Sequence, residues 1–224
     1  SRFIAGVSTA VVFMLGTGLV MNWLHHHHHE GELGMHFMGI GFGIIACALV
    51  VDLTDLGSAW PLSWRLQWVA LAAAGFVFFV PAFFMLPLPG EKEVEMAREG
   101  EMLVKVDPPS NTWLWFLSIA YFCAGFSNTL NVTFTSLMAE LQPLIGLGAR
   151  IWEVVGISAV IAPIFWERVA RAIGSLDALR AAFILNILGN LILSSQLSIY
   201  TTVIAAILFG VTFIGIVSLT LSTV

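Results

Sequence analysis

The sequence predicts an all-α, polytopic membrane protein, and two observations support this fold class. Hydrophobic residues make up 58% of the 224 residues, charged residues only 10%, and the mean hydropathy is +0.93. Soluble domains carry about 25% charged residues, so a water-soluble globule would lack the polar residues to cover its surface. The apolar runs also reach the roughly 20 residues that a helix needs to cross hydrocarbon, without the short alternating pattern of barrel strands.

Seven apolar runs are predicted to be membrane-spanning helices. They cover residues 3–23, 35–53, 66–86, 113–138, 147–165, 178–195 and a last span that begins near residue 200. A polar turn is expected at 166–176, between the fifth and sixth spans. Gly34, Gly39, Gly41 and Gly43 at the start of the second span predict a close or bendable helix contact near one face of the membrane.

One long polar stretch, GEKEVEMAREGEMLVKVDPPSN at residues 90–111, separates the third span from the fourth. It predicts three parts: residues 1–89 with three spans, a charged linker at 90–112, and residues 113–224 with four spans. The linker carries much of the acidity behind the net charge of −5, and no basic surface favours nucleic acid.

The basic residues predict which ends of the helices face the cytoplasm. Successive loops alternate between the two sides of a membrane, and the cytoplasmic side is enriched in lysine and arginine. The side of the linker collects Lys92, Arg98, Lys105, Arg168, Arg171 and Arg180, and the other side collects Arg2, Arg65 and Arg150. The linker and the histidine tract at 25–29 are therefore predicted to be cytoplasmic.

The fourth span is the most polar of the seven. It brings together Tyr121, Ser127, Asn128, Thr129, Asn131 and Thr133. Polar side chains at this depth must meet partners or water, because lipid offers none.

Two further pairs of polar residues stand at helical spacing. Arg150 and Glu153 are three residues apart and can neutralise each other, which leaves a structural ion pair and a functional role both open. Asn186 and Asn190 are four apart, a spacing that favours packing between helices over ligand contact.

Short motifs follow one another along the chain: RFIAGVSTA at residues 2–10, SWR at 63–65, YFCAGF at 121–126, PIFWERVAR at 163–171 and GVTFIG at 210–215. In this order they resemble the major facilitator superfamily of transporters, in particular its bacterial YbfB/YjiJ-like branch. The first is similar to the RxxxGxxxA motif of the family's fourth helix. PIFWERVAR departs from the GxxxDRxGR loop motif, with Pro163, Glu167 and Ala170 in place of Gly, Asp and Gly.

The resemblance implies that the spans correspond to family helices four to ten, so the chain is expected to be a fragment. It implies a partial fold of two pseudo-symmetric helical halves joined by a cytoplasmic loop. The implied function is secondary active transport of a small solute by alternating access across a bacterial inner membrane, with protons as the candidate coupling ion. Neither enzymatic activity nor a cofactor is expected.

Family helices four, seven and ten line the solute path, and they correspond to the first, fourth and seventh spans. On this resemblance the predicted path residues are Tyr121, Asn128, Asn131, Thr212 and Arg2. The predicted gating or coupling residues are Arg150, Glu153, Glu167, Arg168 and Arg171.

Two alternatives stay open. Seven spans also fit a receptor or sensor, although residues 200–224 lack the lysine of a retinal protein. The tract His25 to His29 would fit a divalent metal transporter, but a consecutive run has no fixed ligand geometry and no metal site is predicted. Cys47 and Cys123 are interpreted as small core residues.

Overall fold

The computed structural model of the chain describes residues 2–26, 33–56, 64–85, 110–140, 147–195 and 198–223. Within these ranges every residue except Ser110, Gly174 and Ser198 is helical, which confirms the all-α prediction. The helices are α1 (Arg2–His26), α2 (Leu33–Leu56), α3 (Trp64–Met85), α4 (Asn111–Glu140), α5 (Leu147–Ile173), α6 (Ser175–Ser195) and α7 (Ile199–Thr223). The predicted linker lies outside the described residues as far as residue 109.

Four described helices are long and apolar enough to cross a membrane, judged by length and composition. The segments are Gly34–Thr54, Arg65–Met85, Ser175–Ser195 and Ile199–Leu221, and α1 adds a shorter apolar stretch, Gly6–Met21. The helices α4 and α5 are longer still, and the polar and charged residues within them lower their hydropathy. Many large apolar side chains are exposed, as expected of helices that contact lipid.

The chain forms two compact units. The first comprises Ser1–His36 and Leu88–Pro108, and its described part is α1 with the first residues of α2. The second comprises Phe37–Pro87 and Pro109–Val224, and it contains α3 to α7 with most of α2. The division at residues 90–112 into two helical halves stays a prediction.

The core of the second unit lies around α7, which packs most extensively against α6 and α5. A cluster of buried side chains fills the contact between α5 and α7, formed by Ile151, Val155, Ala206 and Phe209. The ring of Trp152 meets that of Phe209 edge-on, with centroids 6.4 Å apart. The same cluster extends to the half-buried Val203 and Phe213 of α7.

The helices α2 and α5 approach each other closely where both lack side chains. A Cβ at Gly41 of α2 would lie 2.5 Å from the backbone nitrogen of Val160, and a Cβ at Gly156 of α5 would lie 2.6 Å from Cγ1 of Ile45. Helix backbones come this near only at small residues. The close contact predicted for the start of α2 is thus found at Gly41, whereas Cβ atoms at Gly39 and Gly43 would meet open space.

The fifth helix is longer than the sequence predicts. Instead of a polar turn at 166–176, α5 continues to Ile173 and only Gly174 interrupts the helices. Gly174 has a φ of 91°, and its N–H donates a hydrogen bond of 2.8 Å to the carbonyl oxygen of Ala170. This is a glycine cap. The prediction was wrong because polarity marks where hydrocarbon ends, and a helix continues into water while its hydrogen bonds are satisfied.

The two cysteines are placed differently from the prediction. Cys47 and Cys123 are both exposed, and each is a free thiol. A small apolar residue in a membrane helix faces lipid as readily as the protein core, because hydrocarbon and core are equally apolar.

Candidate functional site

A network of polar side chains joins α4, α6 and α7. Ser127 Oγ on α4 donates a hydrogen bond of 2.9 Å to Asn186 Oδ1 on α6. One turn further along α4, Asn131 Nδ2 donates to Asn190 Oδ1 at 2.7 Å. Asn186 Nδ2 in turn donates to Oγ1 of Thr212 on α7 at 3.0 Å. These hydrogen bonds hold Ser127 of α4 beside Asn186 of α6, and Asn131 of α4 beside Asn190 of α6.

The asparagines of α6 use all of their side-chain polar atoms within this network. Asn190 Nδ2 donates to Ser127 Oγ at 2.8 Å and to the carbonyl oxygen of Asn186 at 2.9 Å, while its Oδ1 accepts from Asn131. Asn186 accepts through Oδ1 and donates through Nδ2. Asparagines on one helix face often bind neighbouring helices in this way, since lipid cannot satisfy them. Their geometry is that of packing between helices.

The fourth helix, by contrast, carries side-chain oxygens that accept no hydrogen bond. Asn128 Oδ1 and Thr135 Oγ1 are both buried and have no partner. Asn131 Nδ2 donates hydrogen bonds to Asn190 Oδ1 and to the carbonyl oxygen of Ser127. No described residue donates to Asn131 Oδ1. Thr135 is 1% exposed and Asn131 4% exposed. A buried oxygen without a partner is costly, so Asn128 Oδ1 and Thr135 Oγ1 call for a further partner.

Two predicted path residues of α4, Tyr121 and Asn128, lie on one line along the helix with a third residue, Thr135. Tyr121, Asn128 and Thr135 succeed one another at intervals of seven residues, close to two helical turns, so they share one line along α4. Exposure falls along this line, from Tyr121 at 40% through the half-buried Asn128 to the fully buried Thr135. The sequence analysis missed Thr135, although its spacing from Asn131 and Asn128 is the signal that identifies it.

The other two predicted path residues are placed differently. Thr212 is fully buried; its Oγ1 accepts from Asn186 and donates to the carbonyl oxygen of Leu208 at 2.7 Å. It therefore lies within the helix packing and supports α6. Arg2 begins α1, and its side chain lies outside the described residues.

The predicted gating residues near the end of α5 form local ion pairs. Arg171 pairs with Glu167 one turn earlier, and Arg168 between them is exposed. A second pair, Arg180 with Asp177, joins side chains 2.6 Å apart at the start of α6. In both pairs the acid precedes the base along the helix, the order that the helix dipole favours.

Arg150 and Glu153, at the other end of α5, form no ion pair with each other, although both belong to the described part of α5. Arg150 is exposed and Glu153 is half-buried. Here the base precedes the acid, which is the less favourable order on a helix. Three-residue spacing on one face was therefore not sufficient to form the pair.

Trp166 connects the end of α5 to α7, and the sequence analysis gave it no role. Its side chain is 1% exposed, and its indole N–H donates to the carbonyl oxygen of Val211 at 2.9 Å. The ring occupies the space that a side chain at Gly215 of α7 would need. Trp166 precedes Glu167 directly, so the ion-paired end of α5 is anchored to the last helix.

No group of three histidine, cysteine, aspartate or glutamate side chains forms a metal site among the residues that the structure describes. The side chains of the tract His25 to His29 lie outside those residues. The prediction about this tract therefore stays a prediction.

Comparison with known proteins supports the resemblance seen in the motifs. A family model described as "Uncharacterised MFS-type transporter YbfB" matches residues 1–224. Comparisons with curated proteins and with solved structures gave no match. The match covers the whole sequence, and the helical architecture with its membrane-length apolar segments agrees with it. The chain therefore belongs to the family of YbfB-like transporters of the major facilitator superfamily, a family of multi-pass membrane proteins.

Proposed function

We propose that this chain acts in secondary active transport of a small solute across a bacterial cytoplasmic membrane by alternating access. The family implies membrane transport rather than enzymatic catalysis. The finer proposal depends on one observation: α4 carries two buried oxygens, Asn128 Oδ1 and Thr135 Oγ1, that no described residue satisfies. A buried oxygen without a partner is costly in hydrocarbon, which favours a polar solute or water beside α4. Thr17 Oγ1 of α1 is a further atom of this kind.

In this proposal the solute path runs along α4. Tyr121, Asn128 and Asn131 contact the solute. Asn131 is held in a fixed orientation because its Nδ2 donates to Asn190 Oδ1 of α6 and to the carbonyl oxygen of Ser127. Thr212 acts through Asn186 as a positioning residue. Arg2, at the start of α1, is a further candidate path residue on the family resemblance alone.

The gating proposal concerns the two ends of α5. Glu167, Arg168 and Arg171 form a charged end that changes partners as the helices move, and Trp166 transmits that movement to α7. At the opposite end Arg150 and Glu153 are not paired with each other, and Glu153 is the candidate proton carrier. An ionisable group inside a membrane helix is a functional candidate by default.

Transport assays with the full-length protein in proteoliposomes test the proposal. A broad screen of radiolabelled solutes should identify one whose uptake is saturable, and Asn128→Ala and Asn131→Ala should each reduce that uptake. Thr133→Val is the matched control, because Thr133 is exposed and its hydroxyl is satisfied by the carbonyl oxygen of Thr129 at 2.8 Å. Absence of flux for every solute would contradict transport. Normal uptake by both asparagine variants would contradict the assigned path.

No observation on the described residues favours a receptor or a metal transporter. The proposed solute transporter therefore stands without a second candidate.

A further inference from the structure

Asp52 is a half-buried carboxylate near the end of α2, and the transport proposal gives it no role. It lies within the membrane-length segment Gly34–Thr54. The buried side of α2 passes through Phe37, Gly41 and Ala48, and Asp52 follows Ala48 by four residues. Helical periodicity therefore places Asp52 on the side of α2 that packs against protein. A carboxylate at such a position needs a partner, because lipid offers none.

The glycine contact between α2 and α5 shows that these helices run in opposite directions. A Cβ at Gly41 would lie against Val160, and a Cβ at Gly156 would lie against Ile45. A step from Gly41 to Ile45 along α2 therefore corresponds to a step from Val160 back to Gly156 along α5. Residues that follow Ile45 lie level with residues that precede Gly156.

Asp52 and Arg150 lie at the same level of this antiparallel pair. Asp52 is seven residues after Ile45, and Arg150 is six residues before Gly156. At 1.5 Å per residue, both lie about 10 Å from the glycine contact and on the same side of it. Glu153, three residues after Arg150, lies about one turn nearer the contact. One arginine therefore lies near two carboxylates.

None of Asp52, Arg150 and Glu153 forms an ion pair within the part of the chain that the structure describes. Arg150 precedes Glu153 on its own helix, which is the less favourable order for a pair. Asp52 belongs to the facing helix, so this restriction does not apply to it. An arginine that binds one carboxylate with both arms of its guanidinium leaves the other carboxylate without a cation.

The other helices that pack against α5 offer few competing charges. The helix α7 has no charged residue, and Asp177 and Arg180 of α6 pair with each other beside the opposite end of α5. His36 of α2 lies on the other side of the glycine contact. The helix α4 has one charged residue, Glu140, at its last position, and its side chain lies outside the described residues. Glu140 is therefore the alternative partner of Arg150 that an experiment must test.

We propose that Asp52 is a positioning residue for proton coupling: its carboxylate binds Arg150 across the ends of α2 and α5, so that Glu153 has no cation and is free to carry the proton. The inference rests on the proposed function, which assigns the proton to Glu153, and it adds the partner of Arg150. Without Asp52, Arg150 turns to Glu153 and favours its charged form, because a nearby opposite charge stabilises a carboxylate.

The first test is transport by the full-length protein in proteoliposomes, with the solute that the broad screen identifies. We expect Asp52→Asn to lose accumulation driven by a proton gradient and to keep counterflow, whereas Asp52→Glu should keep both. The double variant Asp52→Asn/Arg150→Gln should regain accumulation, because no cation remains to pair with Glu153. A loss of packing alone would not be restored in this way.

Two transport results would overturn the inference. One is normal gradient-driven accumulation by Asp52→Asn, and a loss in Glu140→Gln alone would then identify Glu140 as the partner of Arg150. The other is a double variant as defective as Asp52→Asn.

The second test is cross-linking, which needs no solute. Asp52→Cys and Arg150→Cys are combined in a protein whose Cys47 and Cys123 are replaced by serine, with a protease site in the linker. After cleavage only a cross-link holds the two fragments together on a denaturing gel. We expect a short bifunctional maleimide to join this pair more efficiently than the control pair Leu53→Cys and Arg150→Cys, because Leu53 is 70% exposed. Equal yields for the two pairs would overturn the inference.

The outcomes separate this inference from the proposed function. If Glu153→Gln loses gradient-driven accumulation and Asp52→Asn does not, transport and the proton carrier stand, and only the role of Asp52 is overturned. If the broad screen detects flux of no solute, or if Glu153→Gln accumulates solute normally, the proposed function or its proton carrier fails, and the inference fails with it.

Discussion

Asn131 on α4 and Asn190 on α6 join their helices through a hydrogen bond of 2.7 Å, from Nδ2 of the first to Oδ1 of the second. Neither side chain has an alternative partner in lipid. The bond belongs to a network that also contains Ser127, Asn186 and Thr212. The relative position of α4 and α6 therefore depends on a few amide groups as well as on apolar packing.

We expect Asn190→Leu to destabilise the protein by about 1 kcal/mol, because Asn131 and Ser127 each lose one hydrogen-bond partner. The double variant Asn131→Leu/Asn190→Leu should lose less stability than the sum of the two single variants. Reversible unfolding in mixed micelles, analysed as a double-mutant cycle, measures the difference. Strict additivity would show that the two amides do not interact.

Gly41 and Gly43 provide a matched pair of variants on α2. We expect Gly41→Ala to destabilise the protein by about 1–3 kcal/mol, because the new methyl group would overlap the backbone of α5 at Val160. Gly43→Ala should be neutral or slightly stabilising, since its Cβ would meet nothing within 4 Å. Measuring the free energies of unfolding of Gly41→Ala and Gly43→Ala tests this expected difference. Equal effects would contradict the close crossing of α2 and α5.

Trp166→Phe tests the hydrogen bond between the end of α5 and α7. The variant keeps an aromatic ring but cannot donate to the carbonyl oxygen of Val211, so we expect a loss of about 1 kcal/mol. Trp115→Phe is the control, because Trp115 is 71% exposed. The two melting temperatures should differ, with Trp166→Phe the lower. A melting temperature equal to that of the control would remove the anchoring role of Trp166.

Glu153→Gln tests the proposed proton carrier. We expect the variant to lose solute accumulation driven by a proton gradient, because glutamine binds no proton. It should retain counterflow, the exchange of labelled for unlabelled solute, which needs no net proton movement. Arg150→Gln is the companion variant, because the structure shows no ion pair between the two side chains. Gradient-driven accumulation by Glu153→Gln would assign proton coupling to another residue.

The helices and their order could be predicted from the sequence because length and apolarity decide whether a segment crosses a membrane. The seven predicted spans correspond to the seven described helices, with ends that differ by a few residues. The larger error lay at α5, which continues to the glycine cap at Gly174. Hydropathy could not place that end, since it measures transfer into lipid and not the hydrogen bonding of the backbone.

The roles of individual polar residues could be predicted only in part. Sequence alone identified the polar region of α4 and the shared face of Asn186 and Asn190. It could not show that every polar atom of the α6 amides is hydrogen-bonded while Asn128 Oδ1 and Thr135 Oγ1 have no partner. Whether a polar atom is satisfied depends on atoms from other helices at hydrogen-bond distance, and sequence spacing describes one helix at a time.

The sequence by itself therefore determined the fold class, the membrane location and the family resemblance, which are properties of composition, segment length and local motifs. Only the tertiary structure decided which glycines meet a neighbouring helix, that Trp166 binds α7, and that Asn128 and Thr135 of α4 keep buried oxygens without a partner among the described residues. These features arise from distances between helices. Such distances follow from the packing of the whole chain, and no single segment contains them.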